Sequence, residues 1–184
     1  MEHAKVGRPR SEQAREAVLH AVDDLLVEGG YAAMSMKGIA ERAGVSRQTV
    51  YRWWSTKAEI LFEASATDAE EELAVAPTGN PQADLTAYLK ALIRFLAHSQ
   101  AGIAYRALLG EAQHDPEVAR LVATKDVLGD SARTVLTQAL PAAPPDQAAT
   151  HLIGPVFYAI MTGQNPTDLK PAELARTFLA TYES

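Results

Sequence analysis

Residues 46–54, SRQTVYRWW, bring cationic, hydrogen-bonding and aromatic side chains together in one short stretch. On an α-helix, where each residue advances by about 100°, Arg47, Gln48 and Tyr51 share one face and Val50 and Trp54 share the opposite face. An arginine guanidinium can hold guanine O6 and N7 together, and a glutamine amide pairs in the same way with adenine N6 and N7. The polar face therefore carries the chemistry that reads base edges in DNA, whereas the apolar face is suited to packing.

The charge of the chain is unevenly distributed. Its net charge of −6 is unusual for a nucleic-acid-binding protein, but residues 1–57 hold nine Lys and Arg against seven Asp and Glu, and the remainder holds eight against sixteen. Attraction to phosphates depends on cations within a Debye length, about 8 Å, so local placement outweighs the total. The candidates for one basic surface are Lys5, Arg8, Arg10, Lys37, Arg47, Arg52 and Lys57.

The N-terminal residues, MEHAKVGRPRSEQ, are polar. The GRPR run at 7–10 suits an arm that follows the DNA backbone or minor groove through Arg8 and Arg10, and a solvated tail is the alternative. The stretch lacks the apolar segment of a secretory signal, so we expect a cytoplasmic protein.

Other classes of function find little support. The absence of cysteine excludes thiolate metal sites and cysteine nucleophiles, and His98, His114 and His151 lack the i, i+4 spacing of a helical metal site. The sequence contains no Gly-x-Ser-x-Gly, phosphate-binding glycine loop or His-Glu-x-x-His motif. The uncharged stretch 147–167 is too short and interrupted to span a bilayer and predicts a buried core helix. We expect no enzyme, cofactor, metal or membrane partner.

The helices that position the polar face are predicted by their caps. Ser11 can open a first helix that ends at Gly29-Gly30, Ser35 opens a helix over 36–42, and Ser46 caps the stretch 47–54. Thr56 with Glu59 forms a capping box, so a fourth helix begins near Lys57 and runs toward Leu73. No alternating strand pattern is present, which predicts an all-α protein.

Proline-containing caps predict the remaining helices. The break at 77–81, PTGNP, is the best boundary in the chain. Helices are predicted from Pro81, over 101–112, from Pro116 to Leu140, over 146–162 and from Pro171. We therefore predict about nine helices, with a helix-turn-helix head in residues 1–56 joined by a shared helix to a C-terminal bundle in residues 57–184.

The three N-terminal helices, with Gly44 in the turn between the second and third, match the helix-turn-helix pattern. The stretch 35–64, SMKGIAERAGVSRQTVYRWWSTKAEILFEA, closely resembles the DNA-binding region of the TetR family of bacterial transcriptional regulators. The resemblance covers about residues 11–64. Its distinctive motifs are Ile39-Ala40, Ala43-Gly44-Val45-Ser46, Thr49-Val50-Tyr51 and Lys57.

The resemblance implies a role for each residue of the head. By position, Lys37, Arg47, Gln48 and Tyr51 match residues that contact bases. Thr49, Tyr51, Trp53 and Lys57 match residues that contact phosphates, and packing in the core is the alternative for Trp53. We add Arg8 and Arg10 of the arm as phosphate contacts.

The resemblance also implies an all-helical homodimer that pairs through the last two helices of each subunit. Its two recognition helices must match half-sites of double-stranded operator DNA about 34 to 36 Å apart. A small, mostly apolar effector bound between the central helices would change this spacing. The candidate pocket residues, for which core packing is the alternative, are Phe95, Tyr105, Leu109, Val122, Tyr158 and Met161.

The sequence thus predicts a DNA-binding transcriptional regulator, a repressor that a small molecule releases from its operator. Two alternatives stay open at this point. One is a regulator without a natural small-molecule effector, controlled by a protein partner or by its abundance. The other is a helical enzyme, which would need ionisable residues converging in a cavity of the C-terminal part.

Overall fold

The computed structural model describes residues 7–182, with side chains from residue 11 onward. This part of the chain contains ten α-helices, one 3-10 helix and no strand, so the all-α prediction is confirmed. The helices are α1 Gly7–Ala33, α2 Met36–Arg42, α3 Arg47–Tyr51, α4 Lys57–Glu72, α5 Pro81–His98, α6 Gln100–Glu111, α7 Pro116–Val122, α8 Val127–Ala139, α9 Pro145–Met161 and α10 Pro171–Tyr182, with the 3-10 helix at Pro166–Asp168.

Most helices begin at the predicted caps. The hydroxyl of Ser35 accepts a hydrogen bond from the Gly38 backbone at 3.1 Å, and that of Thr56 accepts one from Glu59 at 3.2 Å. Asn80 caps α5 in the same way, through its side-chain oxygen. These bonds satisfy backbone N–H groups that lack partners in the first helical turn. Helix α1 begins at Gly7, earlier than the predicted cap, because Pro9 is tolerated in a first turn.

The predicted long helix from Pro116 to Leu140 is wrong. It is divided into α7 and α8, because Asp126 acts as a new N-cap whose carboxylate accepts a hydrogen bond from the Gly129 backbone at 3.1 Å. A Cβ at Gly129 would lie only 1.8 Å from that carboxylate, so a larger residue at this position would force the Asp126 side chain to shift. This division accounts for the additional helix and creates a bend at Lys125.

Helix α4 connects the N-terminal helices to the remaining bundle. It packs against α1 on one side and against α6, α7 and α8 on the other. Val18, Ile39 and Val50 are fully buried in the N-terminal part, and Tyr88 and Phe95 are fully buried in the C-terminal part. The two parts thus share α4, as the sequence predicts.

None of the helices within residues 7–182 is both long enough and apolar enough to cross a lipid bilayer.

Candidate nucleic-acid interface

A tight turn sets the direction of α3. Gly44 adopts a φ of +66°, a left-handed conformation that glycine allows at no steric cost, and the Val45 N–H bonds to the carbonyl of Ala40 at 3.0 Å. The hydroxyl of Ser46 then caps α3 by accepting from the Thr49 N–H at 3.1 Å. The residues that follow are presented on the surface from their first turn.

The two faces of α3 are separated as the helical spacing predicts. Val50 is fully buried and Trp54 is only 3% exposed, so these side chains anchor the helix in the core. Arg47 and Gln48 are exposed, and Tyr51 keeps 55% of its surface accessible despite its aromatic ring. An exposed tyrosine flanked by an arginine and an amide is suited to contacting another molecule.

Thr49 lies at the edge of this surface. Its side chain is half-buried, and its hydroxyl lies 2.9 Å from the Ser46 hydroxyl. Because a hydroxyl both donates and accepts, this pair keeps one hydroxyl proton free for an external acceptor such as a phosphate oxygen.

The two tryptophans after α3 have different environments. The Trp54 indole N–H donates to Glu63 Oε2 at 2.9 Å, which ties the end of α3 to α4. Trp53 is half-buried and packs edge-on against Trp54, with ring centroids 5.5 Å apart. The guanidinium of Arg52 lies 4.9 Å from the Trp53 ring centroid, a cation–π arrangement that sequence reasoning left unassigned. Trp53 therefore packs against the core and still presents an edge beside an exposed cation.

Lys57 is held by the chain that links α1 and α2. Its ammonium donates to the carbonyls of Tyr31 at 2.8 Å and Met34 at 3.1 Å, and it lies 4.2 Å from the Tyr31 ring centroid. Burial, helped by the carboxylates of Glu111 and Asp115, raises the pKa of Tyr31 to about 12, so its phenol stays neutral. The predicted phosphate-contacting lysine thus uses two of its three donors within the protein.

Two basic residues of α2, Lys37 and Arg42, differ in exposure and in the ion pairs that they form. Lys37 is exposed and lies 3.6 Å from Glu41, so its ammonium is available to a ligand. Arg42 bridges to Asp24 and Glu28 on α1, and its hydrogen bond lowers the pKa of Glu28. Arg42 therefore fixes α2 against α1, whereas Lys37 extends into solvent. The side chains of Arg8 and Arg10, and all of Lys5, lie outside the described part of the structure.

The six predicted pocket residues do not converge on one cavity. Tyr105 and Leu109 line a cavity of about 280 Å³ between α6, α8 and α9. Phe95 is fully buried, with its ring centroid 6.4 Å from that of Tyr105. Tyr158 and Met161 are 66% and 41% exposed on α9. Val122 is half-buried at the end of α7.

A second cavity, of about 420 Å³, lies between the C-terminal half of α4 and α8. Sequence reasoning missed this α4–α8 cavity, because it depends on the bend at Lys125 that separates α7 from α8. Its lining includes Leu73, Val75, Val127 and Val135 as apolar residues and Glu70, Lys125 and Asp130 as charged residues. It is large enough to hold a small organic molecule.

Comparisons with known proteins agree with the geometry. Residues 18–64 match the family model described as bacterial regulatory proteins, tetR family, and residues 75–178 match that described as Tetracyclin repressor-like, C-terminal domain. The chain is 38% identical over 122 residues to the uncharacterized HTH-type transcriptional regulator YdeS of Bacillus subtilis, covering 66% of this chain and 61% of that protein. It is 34% identical over 107 residues to the DNA-binding transcriptional repressor TetR of Mycobacteroides abscessus, covering 58% of this chain and 56% of the relative.

The matches therefore span slightly more than half the length of these relatives. Among solved structures, the TetR family transcription regulator SCO0332 superposes with a TM-score of 0.69 at 26% identity, covering 93% of this chain and 97% of the other. Its name, like those of the sequence relatives, is that of a regulator and not of an enzyme. The chain belongs to the TetR family of bacterial regulatory proteins, and its helix-turn-helix lies within the residues that match the family's N-terminal model.

Proposed function

We propose that this regulator is a repressor that binds operator DNA as a homodimer through the exposed face of α3. The observation that carries the proposal is the placement of Arg47, Gln48 and Tyr51 on an accessible surface whose opposite side is anchored by Val50 and Trp54. Arg47 would hold a guanine and Gln48 an adenine, with Tyr51 and Lys37 adding base contacts.

Phosphate contacts would come from the margins of the same surface. The hydroxyl pair of Ser46 and Thr49 keeps one proton free, and Trp53 is accompanied by the exposed guanidinium of Arg52. Lys57 keeps one ammonium donor beyond its two carbonyl bonds. Arg8 and Arg10 are further proposed contacts. Together these groups would set the register of α3 on the duplex.

Dimerisation would place two such heads on one operator. Helices α9 and α10 close the described chain, and α9 exposes Tyr158 and Met161, two of the five large apolar side chains that are exposed among the described residues. Burying these side chains against a second copy would remove apolar surface from water. A twofold dimer would match an inverted-repeat operator whose half-sites are about 34 to 36 Å apart.

Release by a small molecule completes the proposal. Residues 1–56 would form the DNA-binding unit and residues 57–184 the effector-binding and dimerisation unit, with both cavities in the latter. The proposal that the protein represses transcription, and does not activate it, is supported by the name of the Mycobacteroides abscessus relative, a DNA-binding transcriptional repressor. A ligand that favours a different head spacing would oppose DNA binding, because each state binds only one partner well. The protein would act in the cytoplasm.

The test is footprinting of the full-length protein on the DNA upstream of its own gene, repeated with a panel of apolar compounds. We expect protection of an inverted repeat that is lost with one class of compound. Protection of one unpaired half-site would contradict the dimeric arrangement. Protection that no compound removes would favour a regulator controlled by a protein partner or by abundance. Transcription that falls when the gene is deleted would contradict the repressor assignment.

A further inference from the structure

The α4–α8 cavity has mainly apolar walls, but its open side carries charge. Lys125, in the segment between α7 and α8, forms an ion pair with Glu70 on α4. The lysine side chain is 38% exposed and the glutamate side chain 67%, so the pair lies at the mouth and not in the depth of the cavity. The pair is therefore accessible to a ligand that binds in the cavity.

The charges around the mouth are predominantly negative. Two carboxylates, those of Glu70 and Asp130, line the cavity together with one ammonium, that of Lys125. Asp130 is paired with Arg133 at 2.7 Å, but the same guanidinium also holds two other aspartates at 3.0 and 3.1 Å. One cation shared by three carboxylates leaves an excess of negative charge, which favours a positively charged ligand group.

Of the three neutral polar side chains in the lining, Ser131 and Thr134 have their hydroxyls engaged, and the third, Gln138, is exposed. The Ser131 hydroxyl donates to the Leu128 carbonyl at 2.7 Å and lies 2.9 Å from the Tyr88 hydroxyl. The Thr134 hydroxyl donates to the Asp130 carbonyl at 2.9 Å. The charged side chains of Glu70, Lys125 and Asp130 and the Gln138 amide are therefore the polar groups that a ligand meets in this cavity.

The ion pair also restrains the helix that reaches the DNA-binding head. Glu70 lies thirteen residues after Lys57 on α4, about 20 Å along the axis at the helical rise of roughly 1.5 Å per residue. Lys57 itself is bound to the carbonyls of Tyr31 and Met34 in the head. Exchange of the partner of Glu70 would change one contact at the far end of α4, where Glu72 is also bound by Ser99 at 2.7 Å and by Arg94 at 3.4 Å.

We propose that the α4–α8 cavity binds an organic ammonium ion with an apolar tail, which pairs with Glu70 in place of Lys125. The tail fills the space between Leu73, Val127 and Val135, and the displaced lysine turns to solvent. Release of DNA by this ligand rests on the proposed function, whereas its binding to the free protein does not.

The experiment uses three probes with the same eight-carbon tail and different head charges at pH 7: octylammonium, octanol and octanoate. Isothermal titration of the full-length protein without DNA measures the affinity and the stoichiometry. We expect saturable binding of one octylammonium per chain, roughly tenfold tighter than octanol, with octanoate the weakest, since tenfold corresponds to one charge-assisted contact of modest strength.

Two substitutions at the mouth should act in opposite directions. Glu70→Gln should reduce octylammonium affinity to that of octanol, because the ligand loses its counter-charge. Lys125→Gln should raise octylammonium affinity, because the competing ammonium is gone. Glu71→Gln, on the exposed neighbour outside the cavity lining, is the matched control and should leave the affinity unchanged. Thermal unfolding without ligand verifies that each variant is folded.

Three results would overturn the proposal. The first is that octanoate binds more tightly than the other two probes and that Lys125→Gln abolishes its binding. The others are non-saturable uptake of octylammonium that is equal in all variants, and no binding of octylammonium at all. A parallel operator-binding titration separates the two proposals. Octylammonium that binds the free protein and leaves the DNA complex intact would contradict ligand release while supporting the site. A different compound that dissociates the DNA complex, with no octylammonium binding, would overturn this site and support the proposed function.

Discussion

The ammonium of Lys57 lies 2.8 Å from the carbonyl oxygen of Tyr31 and 4.2 Å from the centroid of its ring. The first residue of α4 is thereby bound to the short segment that follows the kink of α1 at Gly30, and the Met34 carbonyl accepts a second hydrogen bond from the same ammonium. The Tyr31 carbonyl already accepts a hydrogen bond from the Met34 N–H at 3.2 Å, so the ammonium adds a second bond there and supplies one to the Met34 carbonyl. Lys57 therefore joins the DNA-binding head to the rest of the protein.

We expect Lys57→Ala to lower both folding stability and DNA affinity. Loss of the ammonium removes the Lys57 hydrogen bonds to both carbonyls, and the Tyr31 carbonyl keeps only the bond from the Met34 N–H. We expect this loss to cost about 1 to 3 kcal/mol of unfolding free energy. If the third donor meets a phosphate, DNA affinity should fall evenly across sequences and the logarithmic salt slope should decrease by about 1. Urea unfolding and salt-dependent binding measure the two effects.

Lys37→Ala is the matched control for stability, because Lys37 is exposed and its ammonium lies 3.6 Å from a carboxylate oxygen of the equally exposed Glu41. Its unfolding free energy should stay within about 0.5 kcal/mol of the unchanged protein. A Lys57 variant with full stability would contradict the carbonyl contacts. Reduced stability with an unchanged salt slope would assign Lys57 to positioning alone.

We expect Arg47→Ala to relax base preference at one position of each half-site. A bidentate arginine contributes about 1 to 3 kcal/mol of discrimination, so the preferred base should lose roughly tenfold or more of its advantage. Binding to operators carrying every base at each position measures the change. Arg120→Ala, which removes an exposed arginine from α7, is the control and should leave all preferences unchanged. Unaltered specificity in the Arg47 variant would contradict the proposed docking of α3.

The features predicted correctly from the sequence are those that depend on neighbouring residues. Ser35 and Thr56 bond to backbone groups only three residues away, so their identities suffice to place α2 and α4. The two faces of α3 likewise follow from helical periodicity. The same local reasoning failed at Asp126, where a cap in the middle of an apolar helical pattern was overlooked.

The features that were missed depend on contacts between distant residues. Lys57 meets Tyr31 across 26 positions, and Lys125 meets Glu70 across 55. The choice of Tyr158 and Met161 as pocket residues used their apolar character, which cannot distinguish an inward from an outward face. Only the packing of α9 against α8 and α5 shows that both side chains are exposed.

We expect Tyr158→Asp to weaken dimerisation without unfolding the protomer. Tyr158 is 66% exposed on α9, so a charge there is tolerated in one chain but would be buried between two. Loss of a central aromatic contact typically costs about 2 kcal/mol or more, which raises the dimer dissociation constant at least tenfold. Sedimentation velocity at micromolar concentrations measures the shift.

Val27→Asp is the control for this experiment, because Val27 is 61% exposed on α1, away from α9 and α10. The dimer dissociation constant of the Val27→Asp variant should equal that of the unsubstituted protein. If the unsubstituted protein is monomeric at micromolar concentration, the paired-head mechanism fails. If Val27→Asp dissociates the dimer and Tyr158→Asp does not, the interface lies on another surface.

We expect the stability contributed by Asp23 to fall as the pH rises. Burial, with the Asp68 carboxylate, raises the pKa of Asp23 from 3.8 to about 6. The folded protein therefore binds this proton more tightly than the unfolded chain does. The favourable contribution is complete below pH 3.8 and is lost as the pH rises through about 6. Asp23→Asn should remove this loss and stabilise the protein at pH 7.5, on the order of 1 kcal/mol after solvent screening.

Urea unfolding at pH 4.5, 6.0 and 7.5 measures how much more stable the Asp23→Asn variant is than the unsubstituted protein. The difference between the two proteins cancels the titration of all other carboxylates. One of these is Asp84, whose pKa is lowered by hydrogen bonds from Thr78, so its effect on stability has the opposite dependence on pH. The cause is tested by repeating the comparison in the Asp68→Asn variant. Because the Asp68 charge raises the pKa of Asp23, the stability gained by Asp23→Asn at pH 7.5 should be smaller in that variant. A stability gain that is constant from pH 4.5 to 7.5 would contradict the raised pKa. A gain that grows toward low pH would reverse the sign of the shift, because only a lowered pKa loses stability on acidification.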